Sequence, residues 1–371
     1  MSDRRAGGAR RRDDPSSPKR SLYPMNPRPL LALLLPLAAC LSSGRATAAT
    51  PAPAAATACS VRAEPGDDLQ AAVDRVPNDG KPATVCLSAG DFHVTKLLSI
   101  QRDGLRLRGQ GDATVLRMRD GVQQPVIVVG DYQNERPQRP IRDVGIEQLQ
   151  IVGGSADQEF MPERPYLSNS LVVVRAGQNI RLSGLRVSKC RSACLLSEYD
   201  SRDLLIERND VSGAIWDGVS FNRSAKVRLI DNYIHDNVAA GITTEHLEDS
   251  EIRNNRLERN GSQGVYLADA RRNLFVGNQF TDNKGAGIYL ACSIRQRTPE
   301  ILCWDNSMSQ DNTFDGNIFK GNPYTYMIGV DRAANCTGAD FRPNLWRRNN
   351  QADASGIDIQ PERYGRCVRF E

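Results

Sequence analysis

RNDVSGAIWDGVSF (208–221), DNYIHDNVAAGITT (231–244), NNRLERNGSQGVYL (254–267) and GNQFTDNKGAGIYL (277–290) are one phrase repeated every twenty-three residues. Asn209, Asn232, Asn255 and Asn278 keep that spacing, and so do Gly218, Gly241, Gly264 and Gly287. A fixed period of this length marks a solenoid: each unit is too small to bury a core and must stack on its neighbours. The repetition is clearest over 187–292.

The apolar residues say whether the units are helical or extended. After each glycine comes a pair spaced by two: Val219/Phe221, Ile242/Thr244, Val265/Leu267, Ile288/Leu290. Period two means strand. Leu229 and Ile252, ahead of the next asparagine, read the same way. No segment of the repeat holds apolar residues at helical spacing for ten residues. Asn and Gly stand where the chain bends, because positive φ costs them least. Three short strands and three turns fill the twenty-three residues. The reading is a parallel β-helix with coils about 4.8 Å apart.

This coil, Asn–x–hydrophobic followed by Gly–[Val/Ile]–x–[Phe/Thr/Leu], resembles the repeat of the pectin lyase-like superfamily. The resemblance covers most of the chain after residue 60. It implies an all-β, single-stranded right-handed parallel β-helix. It further implies that Asn209, Asn232, Asn255 and Asn278 form an internal ladder of stacked amides, which Asn317 rejoins after an insertion. Near the start, Leu69, Ala72, Val73 and Val76 lie at i, i+3, i+4 and i+7, predicting a helix over 67–76 capped by Gly66-Asp67. A helix followed by the strand around Val85 and Leu87 resembles the N-terminal cap of the same superfamily, and an open solenoid end needs such a cover. Further strands are expected at 126–129, 141–152, 171–174 and 180–187. Between and after these the pattern is broken by long insertions, 131–140, 155–170 and 293–312, of a kind that often carries function on a rigid scaffold.

Residues 1–48 read as a leader: a second start at Met25, a short apolar run, and Leu37-Ala38-Ala39-Cys40, which resembles a bacterial lipobox. The rival is ordinary cleavage near Ala46-Thr47-Ala48. Residues 49–58 form an Ala/Pro linker, and 59–371 the β-helix domain. Both readings predict export, either to the periplasm or outer membrane as a lipoprotein anchored through Cys40, or as a secreted chain. Before Cys40 stand eight Lys/Arg and three Asp/Glu, a net of +5, whereas the whole chain carries +4, so the mature portion is near −1. That balance gives no case for nucleic acid. Without Cys40 eight cysteines remain, and proximity suggests Cys59–Cys86, Cys190–Cys194, Cys292–Cys303 and Cys336–Cys367. A zinc site at Cys190 and Cys194 is the alternative.

Alternation places Ser220, Thr243, Tyr266 and Tyr289 in one outward column, Asn222, Glu245, Ala268 and Ala291 in the next, and Arg223, His246, Asp269 and Cys292 at the flanking turn. An aromatic strip, a histidine and carboxylates converge there. The candidate catalytic residues are His246, Glu245, Tyr266 and Asp269; the candidate substrate-binding residues are Tyr289, Arg223, Asn222, Thr243 and Asp217. A bland alternative stands beside this, since tyrosines suit an exposed sheet and Glu and His are ordinary turn residues. His235 with Asp236 forms a second candidate, and His93 is assigned a structural role.

The superfamily resemblance implies a polysaccharide as substrate or ligand. A lyase or C5-epimerase of an acidic glycan would use His246 as base, Tyr266 as acid and Arg223 as the positive neutraliser. A hydrolase would pair Glu245 with Asp269 or Asp217. The Asn-Thr-Asp, Asp-Asp and Gly-His-Gly signatures of polygalacturonases and the Asp-Pro-His of alginate epimerases are missing. The competing class is a non-catalytic glycan-binding or envelope scaffold. No metal site or cofactor is implied, calcium being the one divalent cation kept open, and the chain is expected to be a monomer.

Overall fold

The structure, a computed structural model, describes residues 58–371 except 78, 155–156, 297–301, 304–306, 323–325, 331–335, 337–338, 353–355 and 359–365. The leader, Cys40 and most of the linker lie outside the described residues.

Each coil contributes one strand to each of three parallel sheets. In one coil these are Val219–Phe221, Arg228–Ile230 and Tyr233–His235; in the next, Ile242–Glu248, Glu251–Arg253 and Arg256–Glu258. Val219 pairs with Ile242, Ile242 with Val265, and Val265 with Ile288, so residues twenty-three apart are neighbours. Towards the N-terminus the first sheet continues through Leu195–Glu198, Val172–Arg175, Ile127–Val129 and Leu98–Ile100. The interior is aliphatic in the early coils. In the late ones it becomes a stack of rings, with Phe280 and Phe319 4.7 Å apart and Phe275 and Phe314 5.1 Å apart.

The cap helix is shorter than expected, Leu69–Asp74. Asp68, rather than Asp67, caps it by accepting the Ala71 N–H at 3.0 Å, while Asp67 accepts the Glu64 N–H at 2.8 Å. Ala72, Val73 and Val76 are buried against the first coils. The expected 141–152 strand divides into Ile141–Arg142 and Gly145–Val152, and 180–187 lengthens to Gly177–Ser188. Asp143 interrupts the first at φ 57, and Gly184 turns the second through a corner at φ 63 without ending it.

The asparagine ladder is present, and it is one of three. Asn209, Asn232, Asn255, Asn278, Asn317 and Asn350 run along the corner between the second and third sheets, each amide donating to the next Oδ1 at 2.9–3.0 Å. Asn237, Asn260, Asn283 and Asn322 do the same at the corner that returns to the first sheet. Asn273, Asn312 and Asn344 line the remaining corner. In the regular coils the residue ahead of a ladder asparagine is left-handed, as at Asp231 (φ 57), Asp236 (φ 51) and Arg272 (φ 55). That conformation costs a residue with a side chain of order 1 kcal/mol. The ladder offsets it by satisfying the buried polar groups that each corner would otherwise strand.

Three of the four suggested disulfides are seen: Cys59–Cys86, Cys190–Cys194 and Cys336–Cys367. The second replaces the zinc alternative. Cys292 is also disulfide-bonded, and the side chain of Cys303 lies outside the described residues.

Candidate functional site

On the outer face of the first sheet, Ser220, Thr243, Tyr266 and Tyr289 follow one another in register. The rings of Tyr266 and Tyr289 stack with centroids 5.8 Å apart. Asp217 stands at the upstream edge of this row. Its Oδ1 accepts the Ala240 N–H of the next coil at 3.1 Å, the Ser220 hydroxyl donates to its Oδ2 at 3.4 Å, and Thr243 bonds it as well. Burial pushes the carboxyl up to about 6, against those hydrogen bonds, and the charge of Glu245 adds to the rise. Glu245 itself is exposed. Two carboxyls close enough to feel each other thus share one face, and the half-buried Asp217 keeps its proton at mildly acidic pH.

The flanking corner brings together His246 and Asp269, which the strand pairing skips: Glu245 pairs with Ala268, then Leu247 with Ala270. Along this corner Arg223 (φ 54) and Asp269 (φ 58) are left-handed, whereas His246 has φ 138, a strained value for a residue with a side chain. The His246 Nδ1 lies 2.9 Å from Asp269 and its Nε2 3.2 Å from Glu248. The hydrogen bond to Asp269 leads in raising the His246 pKa above its usual value. Burial works the other way on Asp269, yet the bonds from His246 and Arg271 keep its carboxyl below the ordinary range. An imidazole with a carboxylate at each nitrogen holds its proton, and this geometry suits a cation better than a base.

Arg223 donates to both oxygens of Asp200 in the preceding coil, at 2.8 and 2.6 Å. Arg271 donates to Asp269 at 2.7 Å, and Arg272 to Glu248 at 2.6 Å and Asp249 at 2.7 Å. The cations around this face are engaged by its own acids. Asn222 is exposed, its N–H donating to the Ser197 carbonyl at 2.8 Å. Among the described residues no three His, Cys, Asp or Glu side chains converge as a metal site.

The expectation that Ala268 and Ala291 face solvent needs correcting: both are 2% exposed, and Cys292 is 1% exposed. The 307–310 segment crosses this edge, and the Ser309 hydroxyl donates to the Leu267 carbonyl at 2.7 Å while accepting the Ala270 N–H at 3.1 Å. The two earlier insertions cover a different stretch of the sheet. Phe160–Met161 and Arg164–Ser168 form an antiparallel hairpin whose Met161 and Leu167 bury Val128 and Val173. The buried Arg175 ties down the 131–135 loop, donating to the carbonyls of Asp131 (2.6 Å), Asn134 (2.9 Å) and Glu135 (2.6 Å) and pairing with Glu198 at 2.6 Å.

His235 is held between Asp210, 2.9 Å away, and Asp236, 2.6 Å away, and stacks on Tyr233 at 3.9 Å. Burial opposes its charge, but the two carboxylates win and its pKa is raised. Arg259 in turn pulls Asp236 down to about 2. This closed network leaves no group to act on a ligand. His93 is exposed, outside the core packing. It lines a cleft of about 1140 Å³ between the cap helix and the hairpin, together with Asp68, Lys96, Tyr132 and Arg164. Three carboxylates of that cleft are committed to local bonds: Asp68 to the helix cap, Asp67 to Glu64, and Asp74 to Gln70 at 2.9 Å.

Sequence reasoning overlooked Trp216, Ile215 and Val238, which are exposed beside Asp217. The signal was the Ile-Trp pair occupying a turn that holds small or polar residues in the later repeats.

Residues 170–345 match the family described as right handed beta helix region. No curated protein matches the chain by sequence. Among solved structures, DFA-IIIase from Arthrobacter chlorophenolicus in complex with DFA-III has a TM-score of 0.56 at 15% identity, over 82% of this chain and 88% of that one. The catalytic domain of an α-1,3-glucanase in complex with tetrasaccharides has a TM-score of 0.55 at 11% identity, over 87% and 69%. PfbA, a surface adhesin of Streptococcus pneumoniae, has a TM-score of 0.52 at 14% identity, over 78% of each chain. At these identities the likeness concerns the fold alone. The three parallel sheets, their twenty-three-residue register and the match over residues 170–345 agree: this chain has the fold of a right-handed parallel β-helix.

Proposed function

We propose that this chain is an exported protein that binds a glycan along the Ser220–Thr243–Tyr266–Tyr289 row and hydrolyses a glycosidic bond there. Asp217 is the proton donor and Glu245 the carboxylate that activates water or stabilises the developing charge. The observation that carries the reading is the Asp217 carboxyl, pushed up to about 6 by burial and by Glu245 on a face bearing two stacked tyrosines. Glycoside hydrolysis needs this division of labour between two carboxyls whose environments differ. Two β-helix proteins of similar fold, the DFA-IIIase and the α-1,3-glucanase, have saccharides bound, which supports a glycan as ligand. The disulfides support export, with the 1–48 leader and Cys40 as its means.

A lyase or epimerase with His246 as base draws less support, because both its ring nitrogens face carboxylates and Arg223 is paired with Asp200. A non-catalytic glycan binder is favoured by one specific observation: Asp217 also accepts the Ala240 N–H and so serves the fold. A screen of purified protein on neutral and acidic polysaccharides separates the three. New reducing ends that vanish in Asp217→Asn support hydrolysis. Unsaturated products detected by ultraviolet absorbance support the lyase, and binding without products leaves the scaffold.

A further inference from the structure

Ile215 is 50% exposed, Trp216 47% and Val238 63%, three of the largest apolar side chains left open to solvent. The backbone places them together. The Val238 N–H donates to the Ala214 carbonyl at 2.8 Å and the Ala239 N–H to the Trp216 carbonyl at 3.0 Å, so the Val238 turn lies directly on the Ile215–Trp216 turn. The following N–H, that of Ala240, is the one that reaches Asp217. In the next two coils the same turn is Gly261-Ser262 and Lys284-Gly285. At Gly261 an added Cβ would meet the Val238 carbonyl oxygen at 2.0 Å. One aromatic wall therefore stands above a low floor, beside the half-buried acid.

We infer that Trp216, flanked by Ile215 and Val238, is a stacking platform for one ring of a neutral sugar whose bond lies at Asp217. The inference rests on the proposed function and names its substrate class. A sugar ring offers an apolar C–H face to an indole and hydroxyls to the polar groups beside it. Three side chains are too few for a stable protein interface, which takes about 1,200–2,000 Å² in total. Neutral sugar is favoured over uronate because Arg223, Arg271 and Arg272 are bound to Asp200, Asp269 and Glu248, while the carboxylate of Glu245 would repel that of a uronate.

The test is tryptophan fluorescence of the full exported chain, titrated with neutral gluco- and fructo-oligosaccharides and with tri-galacturonate. Trp346 is buried and Trp304 lies outside the described residues, so the signal of Trp216 is read as the part of the emission shift that Trp216→Phe removes. A neutral oligosaccharide should shift the emission of the parent protein and of Asp217→Asn alike. Trp216→Ala should bind it at least ten-fold more weakly by calorimetry, with Trp216→Phe restoring part of the loss. An unchanged melting curve would show that Trp216→Ala is folded, as an exposed site predicts. Equal binding by Trp216→Ala, a response to tri-galacturonate alone, or no response to any probe overturns the inference. So does self-association that Trp216→Ala abolishes without any saccharide effect. Lost binding in Trp216→Ala beside undiminished hydrolysis by Asp217→Asn would keep the platform and remove the acid. The converse pattern would remove the platform and keep the acid.

Discussion

One outer column of the first sheet changes character halfway along. Upstream it reads Val128, Val173, Leu196; downstream it reads Ser220, Thr243, Tyr266, Tyr289. The backbone and register are the same in both stretches, so the fold does not set the difference. The upstream stretch is apolar and roofed by the hairpin and the 131–135 loop. The downstream stretch is polar and aromatic, and it is flanked by the two carboxyls. A solenoid face that needed only solubility would carry scattered polar residues on every coil. Here one part is sealed and the other holds a carboxylic acid at a pKa useful for chemistry.

The largest effect should come from opening the roof. Arg175→Met removes a fully buried cation and leaves Glu198 charged without its partner, a change that costs about 3–5 kcal/mol. Burial already pushes the Glu198 carboxyl up against the pull of Arg175. Urea unfolding should record the loss, and limited proteolysis should locate new cleavage within 131–140.

On the open stretch, Asp217→Asn should lower hydrolysis by about 10²–10⁴-fold. It should also alter the pH dependence of stability. With a folded pKa of about 6 against 3.8, the native state holds more protons between those values, so Asp217 favours folding below 3.8 and loses that contribution as pH rises through 6. The parent protein should therefore lose stability relative to Asp217→Asn across this window, as differential scanning calorimetry at a series of pH values would show.

The open stretch rests on the asparagine corners, which begin at Asn209 and reach upstream only to the backbone of Leu182 and Leu185. Asn255→Ala strands the Asn232 amide and the Leu229 carbonyl, and should cost about 2–3 kcal/mol in chemical unfolding. Loss of glycan binding with hairpin protection kept would show that the ladder sets register for the open stretch alone. The smallest effect belongs to His235→Gln, about 0.2–1 kcal/mol at neutral pH. His235 has a raised pKa, so its contribution is full below about 6.5 and fades as pH rises through the folded value. Thermal melts on either side of that range should resolve it.

The sequence revealed the periodic part of this design, three of the disulfides and the cap helix. The first ladder, the tyrosine pair and the His246–Asp269 contact all follow from a spacing of twenty-three. The second ladder keeps that spacing at Asn237, Asn260 and Asn283 and could have been seen. The third could not, because insertions stretch its step to thirty-nine and thirty-two residues. Nothing in the local pattern marks Arg175, because the loop it binds lies forty to forty-four positions upstream. Asp217 was visible as a carboxylate near the row. That it is half-buried and bonded to Thr243 and Ala240 of the next coil is not legible in the sequence, and this environment decides its chemistry.

The most direct test is a carbon-13 NMR titration of the Asp217 carboxyl, assigned by its loss in Asp217→Asn. A half-buried acid beside Glu245 should give a midpoint near 6 that moves when Glu245 is replaced by Gln. A midpoint at the ordinary aspartate value, indifferent to Glu245, would contradict the assignment of Asp217 as proton donor and leave it as no more than a bond to the Ala240 backbone.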